Sequence, residues 1–417
     1  MTRARTAVRT PRNTAAPTPD PRTPGTAGTP APRTRRAAHR TAALLLAPLL
    51  TVAPLAGTAH AEGEGIQKQE WALGAIQAKD AWKTTKGKGI TVAVLDTGVD
   101  ESHPDLKRNT APGKDFVRMG AEKGDRTWAR HGTAMAGIVA GHGHGKDDKL
   151  GVMGIAPEAR ILPVRVLLEE SDPQRKKARD ARGGALADGI RYAADHGADV
   201  INLSLGDDSS SAHPEPREDA AVRYALSKGS LVVASSGNGG EDGDHISYPA
   251  AYPGVLAVAA VDKYGARAAF STRRWYATLA APGKDVVIAD PDRKYYEGWG
   301  TSAAAAVVSG AAALVRAAHP DLSPAQVKKL LAETARNTPE GGRSDALGTG
   351  VVDPAAAIEV GSTVKPRAQA PARVAYPHEY FGSGPVNGQA AWAAVVAAVV
   401  GSLLIAAAVA LHRTRRD

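Results

Sequence analysis

The sequence contains no cysteine. Disulfides, a thiolate metal centre and a cysteine nucleophile are therefore all excluded. The compartment is left undecided, because exported proteins also do without disulfides. Aromatic residues make up only 5%, while Ala and Gly are abundant. Such a composition suits a tightly packed α/β interior better than a fibrous or disordered chain. The middle of the chain also lacks net positive charge. The formal total is +9, but residues 1–40 hold nine Arg and one Asp, the last five hold three Arg and one Asp, and the remainder sums to −1. Basic charge confined to the two ends serves membrane targeting and argues against a nucleic-acid partner.

What is present at those ends reads as targeting. Residues 1–34 are rich in Pro, Thr, Arg and Ala without apolar period, a disordered basic leader. Arg33, Arg35, Arg36 and Arg40 precede an uncharged apolar run from Thr41 to Ala56, and Ala59-His60-Ala61 follows. This order of basic, apolar and small-x-small segments predicts a signal peptide over residues 1–61. Residues 62–70 are then a short extension and 361–390 a Pro/Gly/Ala-containing linker. Trp392 to Leu411 is free of charge and is followed by His412-Arg413-Thr414-Arg415-Arg416. As a helix it spans about 30 Å, enough to cross a bilayer. The span is assigned to 391–411 with a basic tail at 412–417. The tail belongs in the cytoplasm and the body outside, on a single-pass cell-membrane protein. No LPxTG-like sorting motif precedes the span.

Between these ends, residues 71–360 alternate strand and helix patterns. Gly89 to Leu95, Arg160 to Leu167, Val200 to Leu203, Leu231 to Ser235 and Val255 to Val261 read as buried strands. Helical patterns cover Gly132 to Ala140, Ala185 to His196 and Asp219 to Lys228. Continuous apolar strands separated by helices predict an α/β fold: a parallel β-sheet with helices on both faces. Functional residues of such sheets gather at the carboxyl ends of the strands.

Three residues stand out by that rule. Asp96 ends the first strand, followed by Thr97-Gly98. His131 opens a helix of small residues. Ser302, in Gly298-Trp299-Gly300-Thr301-Ser302, begins a long Ala-rich helix reaching about Ala318. Taken singly, each has a structural explanation: a turn aspartate, a buried histidine, a helix-capping serine. Together they supply what a serine nucleophile needs, a base to take its proton and an acid to hold that base in one tautomer.

The chain order Asp, His, Ser resembles that of the subtilisin-like proteases, and the likeness extends to motifs. Asp96-Thr97-Gly98-Val99-Asp100, His131-Gly132-Thr133 and Gly300-Thr301-Ser302 are similar to the three active-site motifs of that family. Asp199 to Gly206, Tyr248-Pro249-Ala250, Phe270-Ser271-Thr272, Ala281-Pro282-Gly283 and Gly348 to Asp353 match in order across residues 70–358. The resemblance implies an endopeptidase that cuts protein or peptide substrates and needs no cofactor for its chemistry. It implies that Asn238, in Ser235-Ser236-Gly237-Asn238, donates its side-chain amide to the oxyanion, and that Ser204, Leu205 and Gly206 pair with the substrate main chain. It also implies a structural calcium site using Asp105 and Asp148. Lys146 and Lys149 beside that site leave an exposed charged loop as the competing reading, and His142 and His144 alone are weak evidence for zinc.

The sequence departs from the family in two places. Ala306 stands where many members have Pro. Only about ten residues separate Ala61 from Trp71, too few for a folding prodomain. Signal peptide, short extension, protease domain, linker, membrane helix and basic tail resemble the layout of mycosins, proteases associated with type VII secretion in actinobacteria. Mycosins usually carry cysteines, and this chain has none. The alternative expectation is a protease fold serving as a scaffold within a secretion complex.

Overall fold

A computed structural model describes residues 53–54, 63, 65–181 and 183–369. Seven parallel strands form the central sheet: β1 (Thr91–Asp96), β2 (Lys114–Asp115), β3 (Arg160–Arg165), β4 (Val200–Leu203), β5 (Leu231–Ser235), β6 (Leu256–Val261) and β7 (Ala277–Pro282). Their spatial order is β7-β6-β5-β4-β1-β3-β2. The β1–β3 ladder runs in register from Thr91 opposite Arg160 to Asp96 opposite Arg165.

Alternation of side chains along each strand explains why both faces are covered. Val92 and Val94 enter one core and Ala93 and Leu95 the other. Val200, Leu231, Val233, Leu256 and Val258 follow the first pair, and Ile201, Leu203, Val232, Ala234 and Ala257 the second. The first core is closed by α1 (Arg130–Ala140) and α4 (Thr301–Ala318), the second by α2 (Ala185–Asp195) and α3 (Pro216–Ser227). Each fully buried Val, Leu or Ile contributes about 1.5–3 kcal/mol of apolar transfer. The two layers therefore hold the sheet rigid beneath its carboxyl edge.

Helix α4 is the one helix among the described residues long and apolar enough to cross a membrane, but it lies buried in the protein. It runs without interruption through Ala306, which is fully buried. The expected membrane span at 391–411, the tail at 412–417 and most of the linker lie outside the described residues. So does the leader, except for Ala53–Pro54, a two-residue strand antiparallel to Tyr296 and Glu297. The short extension docks at Gly63, whose carbonyl accepts from Gly151 N (2.9 Å), and at Gln67, whose Nε2 donates to the Asp148 carbonyl (2.7 Å).

Candidate active site

β1 ends in Asp96, whose side chain is wholly buried and whose Oδ1 accepts the backbone N–H of Thr97 at 2.7 Å. The turn that follows meets the start of α1. Gly132 makes this approach feasible: a Cβ there would lie 1.8 Å from the Gly98 carbonyl oxygen, an overlap nothing could relieve without moving backbone. The junction is fastened by Gly132 N donating to Thr97 Oγ1 (3.1 Å) and His131 N donating to Glu169 Oε1 (2.9 Å). The second of these satisfies an amide at the helix start that has no intrahelical acceptor.

The consequence is that the His131 imidazole lies on Asp96. Nδ1 is 2.8 Å from Oδ1 and 2.9 Å from Oδ2. A carboxylate accepts, so Nδ1 carries the hydrogen and Nε2 presents a lone pair. Burial pushes the His131 pKa down, but the charge of Asp96 and its hydrogen bond push it up more strongly, with Glu169 adding to the rise. The net value lies above the usual range for histidine.

Ser302 occupies the first turn of α4. The helix begins after Gly300, whose φ of 142° is open to glycine and strained for other residues. Ser302 is 9% exposed. Its hydroxyl donates to the Ser204 carbonyl at 3.0 Å, so in this arrangement its partner is that carbonyl and not His131. The Ser204 hydroxyl in turn donates to the Ser302 carbonyl at 2.8 Å and accepts from Asn202 Nδ2 at 2.9 Å. Asn202 Oδ1 receives the Ser309 hydroxyl, one helical stretch further on (2.9 Å). A buried polar chain thus ties the end of β4 to α4 in two places.

Asn238 follows β5. Its Oδ1 accepts from both the backbone N–H and the hydroxyl of Thr301, each at 2.9 Å, and its own N–H donates to Asp208 Oδ2 at 2.7 Å. With its oxygen held on Thr301, the amide nitrogen is turned toward Gly300. A Cβ on Gly300 would stand 3.7 Å from Ser302 N and 3.8 Å from Asn238 Nδ2. Both nitrogens therefore lie beside the space that a side chain at position 300 would enter.

Ser204, Leu205 and Gly206 leave the sheet beside Asp96. The Leu205 carbonyl accepts the Ser235 hydroxyl at 3.3 Å, and the segment is pinned beyond Gly206 by reciprocal backbone bonds between Asp207 and Tyr248 (2.9 and 3.1 Å).

The structure does not bring Asp105 and Asp148 together as ligands. Asp105 is wholly buried, with Oδ1 2.5 Å from His144 Nδ1 and Oδ2 accepting from Val152 N and the Tyr295 hydroxyl, both at 2.9 Å. Asp148 is paired with Arg108 at 2.9 Å. Oxygens already bound to protein donors and to a guanidinium do not suit a hard cation, which needs six to eight free oxygen ligands. No group of three or more metal-binding side chains occurs among the described residues. His144 acts as a partner of Asp105, and sequence reasoning missed that role. It also missed Thr301, Glu169 and Asp208. Of these, Thr301 alone left a signal, as the middle residue of Gly300-Thr301-Ser302.

A buried parallel sheet with an imidazole–carboxylate pair at its edge and a serine at the start of an adjoining helix belongs to the α/β class of serine proteases. Residues 87–350 match the model of the Subtilase family, Peptidase_S8, and the chain belongs to that family. It is 41% identical over 248 residues to the major intracellular serine protease of Bacillus subtilis (strain 168), across 58% of this chain and 73% of that one. The crystal structure of MycP1 from Mycobacterium smegmatis is similar with a TM-score of 0.62 and 29% identity, covering 78% of this chain and 92% of that chain. The MycP3 protease from the type VII (ESX-3) secretion system is similar with a TM-score of 0.61 and 32% identity, covering 74% and 91%. The chain is a subtilisin-like serine protease.

Proposed function

We propose that Asp96, His131 and Ser302 form the catalytic triad of a serine endopeptidase, with Asn238 and the Ser302 N–H as its oxyanion donors. The observation that carries this reading is the His131 imidazole held on buried Asp96 at the carboxyl end of β1, next to β4, past whose end Ser204 exchanges hydrogen bonds with Ser302.

The reaction follows from those positions. A peptide lying along Ser204–Gly206 adds a strand to the edge through main-chain hydrogen bonds. The Ser302 hydroxyl swings from the Ser204 carbonyl to Nε2 of His131 and attacks the scissile carbonyl carbon as its proton passes to the imidazole. The C=O electron pair moves to oxygen, which Asn238 Nδ2 and Ser302 N receive. The C–N bond breaks as the imidazolium protonates the departing amine, leaving an acyl-enzyme. Water, deprotonated by His131, then releases the acid and restores the serine. The chemistry needs no cofactor.

The substrates are exported or cell-surface proteins, met outside a membrane that the 391–411 segment crosses after cleavage of the leader at Ala61. Similarity to MycP1 and to the MycP3 protease of a type VII secretion system supports a mycosin-like role in such a system. Calcium is no part of the reading; Asp105 and Asp148 close the 142–152 loop through protein partners.

The test is labelling with a fluorophosphonate. Wild type is expected to label on one residue and Ser302→Ala not at all; equal labelling of both would end the assignment of Ser302. Comparing exported proteins of wild-type and Ser302→Ala cells then identifies substrates.

A further inference from the structure

Asp96 and the segment past β4 lie at the carboxyl edge of the sheet. The opposite edge, where β6 and β7 begin, carries a cavity of about 260 Å³. One wall is helix α5 (Pro324–Glu333), which contributes Ala325, Lys328 and Ala332. Leu226 near the end of α3, Gly254 ahead of β6 and Thr278 in β7 form the other. Gln369 completes the lining, its Oε1 accepting from Ala325 N at 3.4 Å. Most of the lining is apolar.

Lys328 is the exception. Its ammonium turns into the protein and donates to the Val255 carbonyl at 2.6 Å. No carboxylate pairs with it among the described residues. The charged group that acts on it is another cation, Arg343, which donates to the carbonyls of Trp275 and Ala277, the latter at 3.0 Å. Arg343 too has no carboxylate partner among the described residues. Lys329 differs, being exposed and paired with Glu333 at 3.6 Å. Burial, reinforced by Arg343, pulls the Lys328 pKa down to about 8. An ammonium taken out of water beside a like charge is unfavourable. The Val255 carbonyl offers it a dipole without a neutralising charge, so an anion is what this wall lacks.

We infer that this cavity binds a single-chain carboxylate, a short or medium alkanoate, with its head on the Lys328 ammonium and its alkyl tail along Leu226, Ala325 and Ala332. The volume equals about nine waters at about 30 Å³ each. That admits one short chain and excludes the two chains of a membrane phospholipid. Apolar burial of the tail and a charge pair formed away from bulk water both favour binding. The site lies at the sheet edge opposite the proposed triad, and the inference does not depend on the catalytic assignment.

The experiment is isothermal titration calorimetry of the full chain in phosphatidylcholine nanodiscs, against empty discs, with octanoate, hexanoate, butanoate and the neutral analogue octanamide. Wild type is expected to bind octanoate in the submillimolar range, and affinity is expected to fall about fourfold for each methylene removed. Octanamide is expected to bind about tenfold more weakly, the scale of a hydrogen bond to a charged group. Lys328→Met keeps the bulk of the stem and removes the charge, so octanoate and octanamide are then expected to bind alike. Ala332→Phe fills the tail region and is expected to weaken octanoate more than butanoate. No heat with octanoate, equal binding of octanoate and octanamide by wild type, or an unchanged preference in Lys328→Met overturns the inference. The comparison within wild type decides it even if a variant fails to fold, and none of these results touches the protease reading.

Discussion

Ser204 and Ser302 exchange two hydrogen bonds: each hydroxyl donates to the other's carbonyl, at 2.8 Å from Ser204 and 3.0 Å from Ser302. In the proposed mechanism the nucleophile therefore rests on the same main-chain segment that the substrate would use. A substrate N–H donating to the Ser204 carbonyl competes with the hydroxyl and directs it toward His131. Removing one half of the exchange tests the other half. In Ser204→Ala, the Ser302 carbonyl and Asn202 Nδ2 both lose a buried partner. Stability is expected to drop by about 1–3 kcal/mol, read by denaturant unfolding, with kcat/KM falling as α4 loosens.

Thr301 orients the Asn238 amide, the proposed side-chain donor to the oxyanion. Asn238→Leu is expected to lower kcat by about 10²–10³ with KM little changed, because the lost bond strengthens only at the transition state. Thr301→Val keeps the backbone N–H to Asn238 Oδ1 and removes the hydroxyl bond. It is expected to lower kcat by a smaller factor, about tenfold, again without raising KM. Steady-state kinetics on one peptide substrate separates the two; equal effects would show that the hydroxyl, and not the amide, is the main contributor.

His131 sets the pH dependence. The proposed mechanism needs its neutral form, and Asp96 holds its pKa above the ordinary value of about 6.5. The acid limb of kcat/KM is therefore expected above pH 6.5. The same shift has a stability counterpart. The protonated form is favoured in the folded state, so its contribution is full below about pH 6.5 and is lost as pH rises through the folded value. Asp96→Asn removes the support and leaves burial, which acts downward. NMR titration of the imidazole is expected to show a lower pKa in that variant.

Glu70 offers a test of the other end of the chain. Burial raises its carboxyl to about 8, with Asp105 adding to the rise. One oxygen accepts from Met153 N (2.8 Å) and the other has no partner among the described residues. Folding favours the neutral acid, so its contribution is full below about pH 4.5 and is lost as pH rises through about 8. Glu70→Gln keeps the acceptor and cannot ionise. Its melting temperature is expected to exceed that of wild type at pH 9 and to match it at pH 5.

The sequence spoke clearly where one residue type serves one purpose. β4 and β5 are legible because their residues are buried on both faces and read as unbroken apolar runs. β7 was not recognised as a strand because it closes on Pro282, which argues against a central strand; it lies at the sheet edge, where the missing N–H leaves no ladder bond unmade. β2 is two polar residues, Lys114 and Asp115, without an apolar pattern to detect. In the site, Asp96, His131 and Ser302 are conspicuous through chemistry that few residues supply. Glu169, Thr301 and Asp208 act by meeting segments 38, 63 and 30 residues away, and only the folded chain reveals those meetings. The resemblance implies a calcium ligand at Asp105, whereas its bond from the Tyr295 hydroxyl, 190 residues away, is visible only in the folded chain.

The central claim is that the Ser302 hydroxyl becomes covalently acylated during turnover. Rapid acid quenching with an activated peptide ester, followed by mass mapping of the digested protein, tests it directly. The acyl group is expected on the peptide containing Ser302, within the first turnover and absent from Ser302→Ala. Acyl transfer to another side chain, or turnover in the Ser302→Ala protein at the wild-type rate, would contradict the account.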